Sequence, residues 1–296
     1  MKRKRRHILV GLGELLWDLL PQGRQMGGAP ANFAYHAAAW GERGIVASCV
    51  GADPSGRELL RRLRGLGLSV RHVAADPSHP TGTVSVRLDA RGVPEFTIHE
   101  NVAWDYLPWT PALQTLAEEA DAVCFGSLAQ RNAASRGTIE RFLDATGAHC
   151  LRILDINLRQ TFYTREVIER SLARSCVLKL NDGELPVLAQ LLGIPGDIRE
   201  VLARLRRQFA LQMIVLTRGA QGSLLLTEQA TLEHPGTRVT VADTVGAGDA
   251  FTAAVAVGLL RGDTLADIQI KADRVAAYVC TQAGGTPAMP PALFAV

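Results

Sequence analysis

The sequence has no large excess of charge of either sign: 32 Lys and Arg face 29 Asp and Glu in 296 residues, for a formal net charge of +3. That balance supplies no electrostatic footing for a nucleic-acid or strongly acidic partner. Long hydrophobic runs are missing too. The longest, Ala250 to Leu260, contains Thr252 and Gly258 and falls well short of the roughly 18 apolar residues that a membrane helix needs. Cysteine is sparse. Cys49, Cys124, Cys150, Cys176 and Cys280 are odd in number, far apart and never spaced as C-x-x-C, so they read as reduced core thiols and not as a metal site. Basic residues crowd the start, Lys2-Arg3-Lys4-Arg5-Arg6, but the stretch behind them, His7 to Gly13, is short and runs into Glu14 and Asp18, which is not the order of a secretory signal. The expectation is a protein made and kept in the cytoplasm, with no membrane and no nucleic-acid partner. A basic arm can bind nucleic acid or a membrane surface, yet nothing further along the chain supports that use.

Several common catalytic signatures are also absent. Gly51-Ala52-Asp53-Pro54-Ser55-Gly56-Arg57-Glu58 has the glycine spacing of a phosphate-binding P-loop but lacks its Lys and its Ser or Thr. Gly11-Leu12-Gly13 follows an apolar run, but Leu16 stands where a dinucleotide fingerprint needs its third glycine, and Glu14 would repel a pyrophosphate. No H-E-x-x-H and no G-x-S-x-G occurs, which removes metalloprotease and serine-hydrolase readings.

What is present is the composition of an ordinary globular protein, 47% hydrophobic and 21% charged. Apolar runs of strand length recur at His7–Leu12, Gly44–Val50, Asp121–Phe125, Leu151–Ile156, Val177–Leu180 and Met213–Thr217. Helical patterns lie between them, beginning near Pro30, Ser55, Asn132, Thr164, Asp182 and Asp197, residue types suited to caps and first turns. This alternation predicts an α/β fold with a central, mostly parallel sheet flanked by helices. Thr81–Leu88 and Pro94–His99 instead alternate polar and apolar residues around Asp89-Ala90-Arg91-Gly92, the pattern of a half-exposed hairpin. With residues 14–27, the 81–105 region is expected to form a small β lid over the C-terminal edge of the large sheet, where open α/β folds place ligands. No repeat or long linker divides the chain, so residues 1–296 read as one domain carrying that lid.

The most informative stretch is Asp243-Thr244-Val245-Gly246-Ala247-Gly248-Asp249-Ala250-Phe251, which leads into the apolar helix Thr252–Leu260. Gly246 and Gly248 permit unusual dihedrals and close approach, so successive amides of Gly246, Ala247 and Gly248 can converge on an anion at the positive end of the helix. Asp249 would lie in the first turn beside that anion, an odd place for negative charge unless it engages a hydroxyl or a metal. That arrangement fits a base that orients an attacking alcohol in phosphoryl transfer.

This nine-residue string resembles the second signature of the PfkB (ribokinase-like) carbohydrate kinases, D-T-x-G-A-G-D-x-F, without a departure. Gly27-Gly28-Ala29-Pro30-Ala31-Asn32-Phe33-Ala34 resembles the family's N-terminal substrate motif, Asp18 stands where the family keeps a sugar-binding acid, and Asn181-Asp182-Gly183-Glu184 matches its N-x-x-E motif. The resemblance runs from about residue 8 to Pro290. It implies a ribokinase-like fold and ATP-dependent phosphorylation of a hydroxymethyl group, with two copies pairing through the lid.

By the same resemblance, Asp18, Gly28, Asn32 and Arg159 would bind the sugar, while Asn181, Thr217, Gly219, Gly222, Gly248 and, near the adenine, Asp273 would meet ATP. Asp273 is not the family's usual residue there. Glu184 would organise Mg²⁺ through water, and Asp243, Val245, Val279, Gln282, Gly284 and Ala288 would surround a K⁺ ion, mostly through carbonyls. The stretches 28–36, 99–105 and 155–159 look most like bacterial fructokinases, so fructose, phosphorylated at its 6-position, is the expected acceptor. A 2-keto-3-deoxygluconate kinase shares a similar D-x-N-x-R stretch, and ribokinase is a further alternative. A catalytically silent sugar or nucleotide sensor would be expected to carry damage in the glycine turn or the base, and both are intact.

Overall fold

The computed structural model describes residues 5–20, 23–88 and 94–294. In chain order the elements are β1 (Ile8–Leu12), β2 (Leu16–Leu20), β3 (Gly23–Gly27), α1 (Ala29–Ala39), β4 (Arg43–Gly51), α2 (Pro54–Gly65), β5 (Val73–Asp76), β6 (Gly82–Leu88), β7 (Pro94–Ile98), α3 (Pro111–Glu119), β8 (Ala122–Phe125) and α4 (Ala133–Ala145). They continue with β9 (Leu151–Asp155), α5 (Arg165–Ala173), β10 (Val177–Asn181), α6 (Glu184–Leu192), α7 (Ile198–Gln208), β11 (Met213–Thr217), β12 (Ser223–Thr227), β13 (Thr231–His234), α8 (Ala247–Arg261) and α9 (Leu265–Cys280).

Nine strands form one sheet in the order β13-β12-β11-β10-β9-β8-β1-β4-β5. Every pairing from β5 to β11 is parallel, and β12 and β13 close one edge antiparallel. The near-continuous apolarity of the parallel strands has a direct cause, because helices cover both faces. Alternate residues serve opposite cores: Ile8, Val10, Leu12, Leu178 and Leu180 pack in one cluster, Leu9, Val177, Met213 and Val215 in the other with α8 and α9.

The sequence-based strand runs coincide with β1, β4, β8, β9, β10 and β11. Three strands carry no such signal, since the edge strands β5 and β13 are four residues long and half-exposed, and β12, between β13 and β11, is an antiparallel return. Helices α4, α5 and α7 start one residue after Asn132, Thr164 and Asp197, whose side chains accept from the first-turn amides. Helix α8 begins within the glycine motif, at Ala247 and not at Thr252, because Gly246 takes the left-handed conformation that launches it.

A separate four-stranded sheet has the order β3-β2-β6-β7. β2 and β3 form a hairpin, β2 runs parallel to β6 with Leu16 opposite Gly82, and β7 returns antiparallel along β6. The chain after β7 leaves this sheet, and the Ala103–Tyr106 turn buries Trp104 in the main core. The Asp89–Gly92 turn lies outside the described residues.

Candidate active site

A cavity of about 1410 Å³ opens at the C-terminal ends of β1, β9, β10 and β11, roofed by β2 and β3 of the small sheet. Asp18, Asn32 and Arg159 line it on the lid side, Thr217, Gly219 and Gly222 on the far side, with the turn into α8 between.

The glycines of the first motif allow close approaches. A side chain at Gly27 would lie 2.2 Å from Asp18 Oδ2, and one at Gly28, where φ is 115°, would strike the Glu14 carbonyl at 2.5 Å. Asp18 is half-buried on β2, and loss of solvent lifts its pKa to about 6; the Arg159 charge works against that rise and Asp243 adds to it. Asn32, on the first helical turns of α1, donates from Nδ2 to Asp249 Oδ2 at 2.8 Å, while its buried Oδ1 has no partner among the described residues. A residue expected to hold sugar is thus also the hydrogen-bond donor to the expected base.

At the α8 end, Gly246 has φ 77°, and a side chain there would meet Gly285 at 2.5 Å. Of the three amides expected in the anion cradle, that of Ala247 reaches the Thr244 carbonyl at 3.3 Å, whereas those of Gly246 and Gly248 have no acceptor among the described residues. Asp249 follows them. The surrounding protein removes its carboxyl from bulk water and raises its pKa to about 6, a rise that Asp155 reinforces and that Asn32, Lys179 and Arg159 oppose. A carboxylate so placed is ionised at neutral pH and basic enough to accept a hydroxyl proton.

On the side expected to meet the nucleotide, Glu184 accepts from the backbone amides of Asn181 (2.9 Å) and Leu158 (3.0 Å), and Asn181 Oδ1 caps the Glu184 amide at 2.9 Å. Gly222, with φ 81°, is pressed against the 234–236 backbone, where a Cβ would come within 1.9 Å of the His234 carbonyl. Asp273 borders the cavity, but its Oδ2 accepts from Ser223 Oγ at 2.9 Å and lies 2.9 Å from His234 Nδ1. In this structure it fastens α9 to β12 and β13.

The segments expected around a monovalent cation do meet. Asp243 accepts from the amides of Val245 and Gly284, each at 3.0 Å. The Val279 carbonyl takes the Gln282 amide and the Ala288 carbonyl takes the Tyr278 hydroxyl. Each carbonyl retains a second lone pair.

Two buried groups at the site escaped the motif-based reading. Glu14 is 2% exposed and lies close enough to Asp249 for their charges to interact. Lys179 stands in the buried strand β10, its Nζ 3.0 Å from Asp155 Oδ1. The available signal was a Lys within the apolar run Val177–Leu180.

Known proteins resemble this chain over most of its length. The model of the pfkB family carbohydrate kinases matches residues 22–292. A fructokinase of Salmonella typhimurium is 30% identical over 260 residues, covering 84% of this chain and 83% of its own length. A fructokinase of Klebsiella pneumoniae is likewise 30% identical over 262 residues, with coverages of 84% and 83%. Among solved structures, a double mutant of Vibrio cholerae O395 fructokinase, in a form with fructose, ADP and potassium ion bound, superposes with a TM-score of 0.83 at 26% identity and covers 99% of each chain. An uncharacterized sugar kinase from Pyrococcus horikoshii gives a TM-score of 0.80 at 27% identity, with coverages of 94% and 93%. With the family model spanning residues 22–292 and relatives at 30% identity covered over most of their length, the chain belongs to the pfkB family of carbohydrate kinases, as an ATP-dependent sugar kinase.

Proposed function

We propose that this kinase phosphorylates fructose to fructose 6-phosphate, with Asp249 as the base and the 246–248 turn as the anion hole. The observation that carries the mechanism is the 2.8 Å hydrogen bond from Asn32 to Asp249. It joins the sugar-side motif to the phosphoryl-side motif at one carboxylate. In this reading Asp18 and Asn32 hold sugar hydroxyls, which both donate and accept. The reacting hydroxymethyl lies against Asp249. As its oxygen bonds to the γ-phosphorus, the bond from that phosphorus to the bridging oxygen of ADP breaks, and the hydroxyl proton passes to the Asp249 carboxylate. Charge on the transferring oxygens meets the amides of Gly246 and Gly248 at the positive end of α8.

Thr217, Gly219 and Gly222 border the nucleotide, with Asn181 beside its phosphates and Asp273 near its base. Both Glu184 oxygens already accept backbone amides, which suits contact with Mg²⁺ through water and not directly. Mg²⁺ bound with the nucleotide would neutralise phosphate charge. The Asp243 to Gly284 junction fits a K⁺ site beside the anion hole, with Val245, Val279, Gln282 and Ala288 supplying carbonyl oxygens. Two copies would pair through the lid sheet. For the cation, replacing K⁺ by a bulky organic cation is expected to lower kcat, and unchanged turnover would remove the site.

Fructose is favoured by the two fructokinases at 30% identity. Arg159 leaves a second acceptor in play, because a planar guanidinium beside Asp18 can also bind a carboxylate. ADP release with Mg-ATP should be measured across fructose, 2-keto-3-deoxygluconate, ribose and adenosine, comparing kcat/KM. Fructose is expected to lead. A preference for the keto acid would overturn the acceptor and reassign Arg159 to carboxylate binding.

A further inference from the structure

The reaction as described makes no use of Lys179, although this is the ammonium buried nearest the anion hole. It occupies a position in β10 whose neighbours in the strand, Leu178 and Leu180, are fully buried core residues. The strand's alternation turns Lys179 to the opposite face from those leucines, the face against which α8 packs. There Nζ lies 3.0 Å from Asp155 Oδ1, and the Thr252 hydroxyl of α8 lies 2.9 Å from both Asp155 Oδ2 and the Gly248 carbonyl.

Three observations separate this pair from a strut. An ammonium has three N–H donors, and among the described residues Asp155 is the acceptor for one of them. The side chain is 9% exposed, yet Lys179 lines the cavity together with Gly246, Gly248 and Asp249. A Cβ added at Gly248 would come within 2.9 Å of Nζ, so the amine sits directly under the first turn of α8. Gly246 is glycine for its left-handed φ, but Gly248 has no such need. Its missing side chain leaves room for the amine. Burial disfavours the charge on Lys179, but Asp155, Glu184 and Asp249 outweigh it and raise the pKa, so the group stays cationic. A buried ion pair adds little stability over an apolar pair of similar volume, and the amine stands beside the glycine turn at the cavity wall.

We infer that Lys179 is a catalytic residue, holding the γ-phosphoryl oxygens during transfer from the nucleotide to the sugar hydroxyl. The inference rests on the reading of the 246–248 turn as the place of transfer. The phosphorus leaves the bridging oxygen of ADP and bonds to the acceptor oxygen, the hydroxyl proton goes to Asp249, and Lys179 keeps its own proton throughout. Asp155 is its positioning residue, and Thr252 fixes Asp155 to the helix.

Removing Lys179 alone would strand the Asp155 charge and can unfold the protein. The variant of choice is therefore Lys179→Met with Asp155→Asn, which removes both charges. Calorimetric titration with Mg-ADP and Mg-AMP-PNP, beside turnover with Mg-ATP and fructose, is the test. The expected result is a folded double variant that binds Mg-ADP as the wild type does, binds Mg-AMP-PNP roughly tenfold more weakly, and has a kcat lowered by about 10²-fold or more, as for loss of an oxyanion donor. Asp155→Asn alone leaves an amide oxygen as acceptor for the ammonium, with the Glu184 and Asp249 charges still near it, and is expected to lose less of the discrimination between the two nucleotides than the double variant. A double variant with wild-type AMP-PNP affinity and turnover, or a single Asp155→Asn variant that loses the discrimination as fully as the double one, would overturn the assignment. Should wild type leave fructose untouched, the acceptor reading fails while the nucleotide titrations still decide the role of Lys179.

Discussion

Glu14 is a carboxyl almost wholly removed from solvent. Among the described residues its Oε1 accepts only a long 3.3 Å contact from the Ala29 amide and its Oε2 has no partner, and burial, with the Asp249 charge adding to it, lifts its pKa to about 7. A carboxyl whose folded pKa lies above its unfolded value binds protons more tightly in the native state, so its stabilising protonation is lost as pH rises from about 4.5 towards 7. Glu14→Gln keeps the acceptor for Ala29 and removes the titration. In denaturant titrations at pH 5 and pH 8, the loss of stability between the two is expected to shrink by about 2 kcal/mol in the variant. An identical loss in both proteins would contradict the assignment. The residue scale also separates what was legible in the sequence from what was not. Asp249 and Gly246 stand in a contiguous string whose chemistry follows from its order. Lys179 and Glu14 act through burial and through neighbours, Asp155 and Asp249, that are distant in sequence, and their spacing announces neither.

Among the elements, α8 governs the site. Its helical dipole, the two open amides and the base all depend on where it begins, and Gly246 sets that point with φ 77°. Gly246→Ala would place an L-residue in the left-handed region at a cost of about 1–2 kcal/mol, and its methyl would have to displace Gly285, 2.5 Å away. Both a lower Tm and a kcat at least tenfold lower are expected. Unaltered kcat in the folded variant would mean that the turn is not the anion hole. The parallel strands were legible as elements because burial on both faces leaves uninterrupted apolar runs, and α4, α5 and α7 because Asn132, Thr164 and Asp197 cap them. β12 and β13 were not, since what makes them strands is the pairing of β12 with β11 and of β13 with β12, together with the Gln269 and Asp273 side chains of α9 that hold Ser223. The start of α8 was misplaced by five residues because its glycines read as loop until their neighbours are known.

For the whole molecule, the structure joins a lid to a body around one cavity. Trp17 of β2 donates to the Ser55 carbonyl of α2 at 3.1 Å, Arg24 of β3 pairs with Glu58 of α2, and Thr81, which leads into β6, donates to Asp53 by amide and hydroxyl at 2.8 and 2.7 Å. These ties anchor the root of the lid to α2, while Asn32 and Asp249 converge from the first turns of α1 and α8. The two residues are 217 positions apart in sequence and 2.8 Å apart in space. The alternation of strands and helices made the layered body legible, and the polar alternation of 81–99 the lid. The convergence of α1 and α8 on one carboxylate needed the fold. That convergence is the central claim, and turnover of Asp249→Asn with Mg-ATP and fructose tests it most directly. With Mg-ADP binding and Tm retained, kcat is expected to fall by about 10²-fold or more; turnover near that of the wild type would contradict the assignment of Asp249 as the base.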